Sequence, residues 1–161
     1  MDPAEYIHSV KEQLKAYDFE EVDIVGESGY LCFRREKSRL VRDQEELVFI
    51  AELESNSVDE LKSHFDEVIK TGKAVFSEDG PIPVRQWYFV AVTNSGSRAL
   101  RVATERGSDS FSINNKSFGG YFLPVLIDLE ESRLKHGDVS IKHKVTHFSE
   151  MKKNAEDYFS L

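Results

Sequence analysis

The sequence predicts a single-domain α/β protein, residues 1–161, with one mixed central sheet. Its elements follow the order α-β-β-β-α-β-α-β, with a further helix at the C-terminus. Three strand-like runs in succession after the first helix favour an antiparallel meander. An amphipathic helix then leads to a nearly all-apolar run at 87–93, typical of a strand covered on both faces. The length suits one domain with a full hydrophobic core.

The first half of the chain supplies one helix and three strands. Asp2 suits the N-cap of the helix, with Pro3 in the first turn and Glu5 three residues after the cap. The apolar face of this helix consists of Ile7, Val10, Leu14 and Tyr17. Strands are predicted at 19–25, 30–36 and 47–55. The third, LVFIAELES, places Glu52 and Glu54 on the face opposite its apolar residues, roughly 6–7 Å apart.

A second helix and a second group of strands follow. Ser57 and Glu60 form a capping box that opens the helix, and Gly72 is predicted to end it. A loop at 77–83, rich in turn-forming residues, precedes the apolar strand at 87–93. The helix therefore serves as the crossover that makes this strand parallel to part of the sheet.

The last part of the chain predicts two helices and one strand. The string NSGS at 94–97 leads into a short helix, and its serines suit a helix cap. The polar segment 107–120 is predicted to be a loop. A strand follows at 121–129, with Pro124 placing its start near an edge or a bulge. A final amphipathic helix is predicted to begin at Ser149.

Composition and charge restrict the class of protein. Hydrophobic residues make up 40% of the chain and charged residues 31%, which is typical of a globular protein. The formal net charge of −8 argues against loose electrostatic binding of nucleic acid. The single cysteine, Cys32, excludes an internal disulfide and fits a reducing compartment. Without a run near the ~20 apolar residues of a membrane span, or a signal-peptide pattern, we expect a cytoplasmic protein with no membrane partner.

Positive charge is concentrated in two segments. The first, RREKSRLVR at 34–42, contains one acid, Glu36, and five basic residues: Arg34, Arg35, Lys37, Arg39 and Arg42. The second, 132–153, carries Arg133, Lys135, Lys142, Lys144, Lys152 and Lys153. Each segment has two interpretations, a solvated surface or a set of phosphate contacts. Under the second interpretation the candidate nucleic-acid-binding residues are Arg34, Arg35 and Lys37.

Several strings, in this order, resemble the Mrr-type restriction endonucleases of the PD-(D/E)XK nuclease superfamily. YFVAVTNSGSRALRVATERG, at 88–107, is similar to that family's strand, small-residue turn and alanine-bearing helix. PVLIDLEESRLKHGDVSI, at 124–141, is similar to its strand ending in LID, short helix and His-Gly turn. The helix at 58–74 and the strand LVFIAELES stand where the family has its crossover helix and catalytic strand. The resemblance spans roughly residues 4–141 and depends on order and spacing.

The resemblance implies a restriction-endonuclease-like fold and a divalent-metal site. In such enzymes an aspartate on the second strand and a Glu-x-Lys pair on the third hold and assist Mg²⁺, which activates water for phosphodiester cleavage. In this chain Glu52 matches the glutamate, whereas Glu54 stands in place of the lysine. Leu31 stands about where the aspartate belongs, and the nearest acids are Glu27 and Asp23.

Two interpretations of the paired glutamates therefore stay open. In the first, Glu52 and Glu54 are catalytic, and Glu52 binds Mg²⁺ together with Glu27 in an active DNA endonuclease. In the second, the strand reaches solvent at its carboxyl end and the catalytic site is degenerate. We expect the degenerate state, and the resemblance implies DNA as a partner in restriction, defence or repair. A third hypothesis is a non-catalytic module for a protein partner on the same scaffold, and a homodimer is compatible with each.

Overall fold

The computed structural model describes residues 1–24, 29–38, 43–75, 84–113, 116–138 and 146–161. Within these ranges the chain is an α/β protein with a mixed seven-stranded sheet and four helices, which confirms the predicted class. None of these helices is long and apolar enough to cross a membrane. In chain order the elements are α1 (Pro3–Ala16), β1 (Glu20–Val22), β2 (Leu31–Lys37), β3 (Gln44–Glu52), α2 (Val58–Val75), β4 (Val84–Thr93), α3 (Arg98–Glu105), β5 (Asp109–Ile113), β6 (Lys116–Asp128), β7 (Arg133–His136) and α4 (Thr146–Phe159).

The strands lie in the order β1-β2-β3-β4-β6-β5, and β7 pairs with the second half of β6. Strands β1, β2 and β3 pair antiparallel, which confirms the predicted meander. The crossover through α2 then makes β4 parallel to β3, and β6 is in turn parallel to β4. The carboxyl ends of β3, β4 and β6 therefore lie side by side at one edge of the sheet.

Two hydrophobic cores lie on opposite faces of the sheet. Helices α1 and α4 cover one face, and this α1/α4 core includes Val48 and Val90. Helices α2 and α3 cover the other face, and this α2/α3 core includes Phe49 and Phe89. Because side chains alternate along a strand, neighbouring residues of β3 and β4 serve opposite cores. Every residue of β4 is buried, as predicted for a strand covered on both faces.

The predicted helix starts are present. The side chain of Asp2 accepts a hydrogen bond from the Glu5 N–H at 2.8 Å, and the Glu5 carboxylate accepts one from the Asp2 N–H at 3.1 Å. At α2 the N–H of Glu60 donates to Ser57 Oγ at 3.3 Å. These contacts satisfy backbone donors that a helix leaves free in its first turn.

The predicted end of α2 is wrong, because the helix continues past Gly72 to Val75. Gly72 is buried against Trp87, where an added Cβ would lie only 2.9 Å from Cε3 of the indole. Any side chain at this position would overlap the ring. The glycine therefore permits a close approach of the helix to β4, at the small cost in helix propensity that glycine carries.

The segment after α3 differs most from the sequence prediction. The predicted loop at 107–120 contains β5 and the first part of β6, which pair antiparallel. It is polar because β5 is an edge strand, on which Asp109, Ser110 and Ser112 are exposed. The short helix that the resemblance implied after residue 129 is a turn followed by β7. The last helix begins at Thr146 rather than at Ser149.

Pro124 lies in the middle of β6 rather than near its start. Its carbonyl accepts a hydrogen bond from the Gly137 N–H at 2.9 Å. The neighbour of β6 on this side changes here from β5, whose pairing ends at Phe122, to β7, whose pairing starts at Val125. The strand therefore needs no N–H donor at this position, and a proline is tolerated inside the sheet.

Candidate functional site

The carboxyl ends of β3, β4 and β6 form the first place to look for a site. Parallel strands of an open α/β sheet present their ligand-binding residues at this edge. The register places Glu52 beside Val92, and Thr93 beside Asp128. Helices α2 and α3 both begin at this edge, since each follows one of the parallel strands. The predicted catalytic glutamates also lie here.

Glu52 and Glu54 occupy different local structures. Glu52 is the last residue of β3 and its side chain is exposed. Pairing with β4 continues for one more residue, because the Leu53 N–H donates to the Val92 carbonyl at 2.8 Å. Glu54 lies beyond the strand in a bend, where its own N–H donates to Glu60 Oε1 at 2.9 Å. The expectation that one strand carries both carboxylates is therefore wrong.

The residues expected to complete a Mg²⁺ site are not gathered around Glu52 in the described part of the chain. Glu27 lies outside the described residues. Leu31 pairs with Ile50 and packs at the margin of the α1/α4 core, so it offers no ligand oxygen. Asp23 is exposed just after β1. Among described residues no group of three or more histidines, cysteines or acids is placed to hold a metal ion. A Mg²⁺ site formed by Glu52 with Glu27 stays a prediction.

A tyrosine, a histidine and a glutamate form a chain of polar contacts beside this edge. Tyr30 Oη lies 2.6 Å from Nδ1 of His64, and Nε2 of His64 lies 3.7 Å from Glu60 Oε1. Burial, followed by the nearby charge of Glu67, raises the pKa of Tyr30 to about 12. The hydroxyl therefore stays protonated at neutral pH, and the direction of its hydrogen bond with Nδ1 follows the tautomer of His64. No local signal in the sequence predicts this contact between α2 and the residue before β2.

Glu60 also holds the chain between β3 and α2. Its carboxylate accepts hydrogen bonds from the Glu54 N–H and from Ser55 Oγ. The Ser55 hydrogen bond is the main cause that lowers the pKa of Glu60. Only one half of the predicted capping box is present, because the Glu60 carboxylate binds residues before the N-cap while the Ser57 N–H donates to Ser55 Oγ at 3.2 Å. This arrangement fixes the segment that carries Glu54, and it explains why Glu54 leaves the line of the strand.

Asp128 is a buried acid at the same edge that sequence analysis did not select. Its side chain is 2% exposed at the end of β6. Oδ1 accepts hydrogen bonds from the N–H groups of Glu130 and Glu131, at 3.1 and 3.3 Å, whereas Oδ2 has no partner among the described residues. An added Cβ on Gly96 would lie 2.6 Å from the Asp128 Cγ, so the NSGS turn closes over this carboxylate. Asp128 holds the turn after β6.

The predicted nucleic-acid-binding residues on β2 are engaged with buried acids. Arg34 Nη2 lies 2.9 Å from Glu45 Oε2, and Arg35 forms an ion pair with Glu46. Lys37 Nζ lies 3.7 Å from Glu46 Oε2. Both glutamates are fully buried on β3, whose first three residues lie before the predicted strand start. Much of the positive charge of Arg34, Arg35 and Lys37 is therefore directed inward, and their binding of nucleic acid stays a prediction.

A third buried cation completes this arrangement. Arg85 on β4 is fully buried, and its Nε lies 3.2 Å from Glu45 Oε1. Its Nη1 and Nη2 have no hydrogen-bond partner in the described ranges. Glu45 thus lies between two arginines on the α2/α3 side of the sheet. Sequence analysis missed Glu45, Glu46 and Arg85, because charged residues at the start of a strand look like loop residues when the periodicity alone is read.

Comparisons of the chain with protein-family models, with curated proteins and with solved structures give no match.

Proposed function

We propose that the chain is a nuclease-fold protein with a degenerate catalytic site and a nucleic-acid-related role, of the Mrr-type, restriction-endonuclease-like kind that its sequence resembles. The order α1-β1-β2-β3-α2-β4, antiparallel through β3 and parallel at β4, agrees with the arrangement that the resemblance implies. The nucleic-acid role follows from the resemblance, since a scaffold alone does not define a function.

The position of Glu52 supports the degenerate state. Its carboxylate is exposed at the end of β3, and Leu31 packs apolar atoms where a nuclease of this kind has its aspartate. Glu54 is held off the strand by Glu60. A hard cation needs several converging oxygen ligands, and one carboxylate without partners holds Mg²⁺ weakly. The protein is therefore expected to bind DNA without cleaving it.

A cleavage assay tests the degenerate site. Supercoiled plasmid and single-stranded DNA are incubated with the wild type and with Glu52→Gln, in Mg²⁺, in Mn²⁺ and with a chelator. We expect the DNA to stay intact in every lane. Glu36→Gln is a matched control, because Glu36 is an exposed acid on β2. Metal-dependent nicking that disappears in Glu52→Gln but persists in Glu36→Gln would contradict the proposal and support the active endonuclease.

A binding assay tests the nucleic-acid role separately. Fluorescence anisotropy of labelled duplex and single-stranded oligonucleotides is followed as salt increases. We expect affinity to fall with salt, since phosphate contacts release counterions. Lys37→Gln should lower the slope of log K against log salt by about one, if Lys37 contacts one phosphate. Lys37 is preferable to Arg34 or Arg35 here, because those two hold buried glutamates at shorter distances. No binding at low salt would contradict the role.

A further inference from the structure

A groove lies between α2 and α3 on the outer side of the α2/α3 core. Its volume is about 770 Å³, within the range of roughly 300–1,000 Å³ that small-molecule sites occupy. Phe65 and Phe122 line its floor, and Val58, Ile69 and Val102 line its walls. The walls are half-buried, so their apolar atoms remain accessible from solvent.

The floor of the groove is held in place by aromatic packing. The ring of Phe65 lies 5.7 Å from that of Phe122 and 6.1 Å from that of Phe89, both in edge-to-face geometry. Phe89 and Phe122 are fully buried on the parallel strands β4 and β6. A ligand would therefore meet a preformed apolar surface, which reduces the entropy lost on binding.

Three cations line the rim of this groove. The side chains of Lys62, Arg98 and Arg106 are exposed, and within the described ranges none of these side chains forms an ion pair or a hydrogen bond. Arg106 acts on a neighbouring acid only through its charge, as one of the causes that lower the pKa of Glu105. Unpaired cations gathered around one groove stand out in a chain whose net charge is −8. None of these three side chains pairs with a buried acid, in contrast to those of Arg34 and Arg35.

The charged side chains are unevenly distributed along the groove. Helices α2 and α3 both start at the carboxyl edge of the parallel strands, so Lys62 and Arg98 lie toward that end. Asp66, one helical turn after Lys62, and Asp109 line the groove further along, where it meets a neighbouring depression that they also line. Arg106 follows the end of α3 and lies toward the same end as the two aspartates. An anionic group is therefore favoured most near Lys62 and Arg98.

We propose that this groove binds a small amphipathic carboxylate, with its apolar chain against Phe65 and the half-buried walls and its carboxylate at Lys62 and Arg98. A single negative charge fits better than a phosphate dianion, because the three cations and two aspartates that line the groove leave one net positive charge. The apolar chain supplies most of the affinity, since exposed ion pairs add little. Glu52 does not line this groove.

Titration of the whole chain with octanoate tests the site. Isothermal calorimetry gives the affinity, and amide shifts in two-dimensional NMR report the location. We expect saturable binding, with shifts concentrated on α2, α3 and β5. Octanol, which has the same chain without the charge, should bind more weakly than octanoate.

Two matched double variants test whether the cations that attract octanoate are the ones that line the groove. Lys62→Gln with Arg98→Gln should weaken octanoate binding about three- to tenfold and bring it close to that of octanol. Arg133→Gln with Lys153→Gln changes the net charge equally at exposed positions outside the groove and should leave the affinity unchanged. Absence of saturable binding, equal affinity for octanol, or equal loss in both double variants would overturn the proposal.

Discussion

At the scale of the residue, buried charges distinguish this chain from a sheet held together by apolar packing alone. Glu46 is fully buried, and its carboxylate accepts hydrogen bonds from Arg35, from Tyr158 Oη at 3.0 Å and from Asn154 Nδ2 at 3.3 Å. These contacts join β3 to β2 and to α4. Because a charge in a protein interior is stable only with partners, the burial of Glu46 depends on the contacts that it makes with β2 and α4.

Replacing Glu46 with Gln should therefore destabilise the fold. The substitution keeps the shape of the side chain but leaves the Arg35 guanidinium without its counter-charge. We expect the free energy of unfolding, measured by urea denaturation, to fall by about 3–5 kcal/mol. The control is Glu36→Gln, which removes an exposed partner of Arg34 and should cost no more than about 1 kcal/mol. Equal effects of the two substitutions would contradict a structural role for Glu46.

Sequence analysis could not predict these buried charges, for a physical reason. The predicted strand started at Leu47, where the apolar pattern starts, because an isolated Glu45 or Glu46 belongs in solvent. What makes their burial favourable is the set of partners, and these come from other elements. Arg35 lies 11 residues from Glu46 in the chain and Tyr158 lies 112 residues away. Periodicity within one strand carries no information about such contacts.

At the scale of the element, α2 shows which features of a helix can be predicted from residues that are neighbours in the sequence. Its start was predicted correctly, since Ser57 and Glu60 meet within one turn. Its end was not, because Gly72 has two explanations that a sequence alone does not separate. Glycine ends helices, and it also permits close packing against a neighbouring element. The structure shows the second, with the helix backbone against the Trp87 indole.

Gly72→Ala separates helix propensity from packing, because the two effects have opposite signs. Propensity alone would stabilise α2 by about 1 kcal/mol. Overlap of the new methyl group with the buried Trp87 ring should cost about 1–3 kcal/mol, and we expect this effect to dominate. Urea denaturation and the emission wavelength of Trp87 measure the result. Ser63→Ala, at an exposed position of the same helix, should be neutral or slightly stabilising. Stabilisation by Gly72→Ala would refute the packing argument.

At the scale of the whole molecule, the patterns that repeat over many residues gave correct predictions. The meander, the crossover helix and the doubly covered strand β4 follow from runs of apolar residues whose spacing is independent of distant contacts. Edge strands β5 and β7 were missed, since a strand with one free side can be short and polar. The candidate site was predicted in part. Glu52 lies at the end of its strand, but no pattern in the strand indicated that Glu54 would be held in a bend by Glu60.

Burial of the cysteine and of several tyrosines makes the stability of the molecule sensitive to high pH. Burial raises the pKa of Cys32 and of Tyr30 to about 12, and it raises the pKa of Tyr6, Tyr88 and Tyr158 above the usual value for tyrosine. In the unfolded chain these groups ionise near about pH 8.5–10. Their contribution to stability is therefore complete below about pH 8.5. It is lost as the pH rises, because the unfolded state releases protons that the native state retains.

We therefore expect one cooperative alkaline unfolding transition above about pH 10. Each buried group of this kind changes the free energy of unfolding by about 1.4 kcal/mol per pH unit, so several together should make the transition steeper than a single group would. Far-UV circular dichroism and tyrosinate absorbance, recorded on the same samples, measure it. The buried tyrosines should ionise in the step that loses secondary structure. Tyr6→Phe removes one of these ionisable groups, so the free energy of unfolding should change less steeply with pH. The substitution also removes the hydrogen bond to the Phe159 carbonyl, which affects stability at neutral pH but not this slope. Complete ionisation of the tyrosines while the dichroism stays native would show that their hydroxyls reach solvent without unfolding, and the linkage between core burial and alkaline stability would fail.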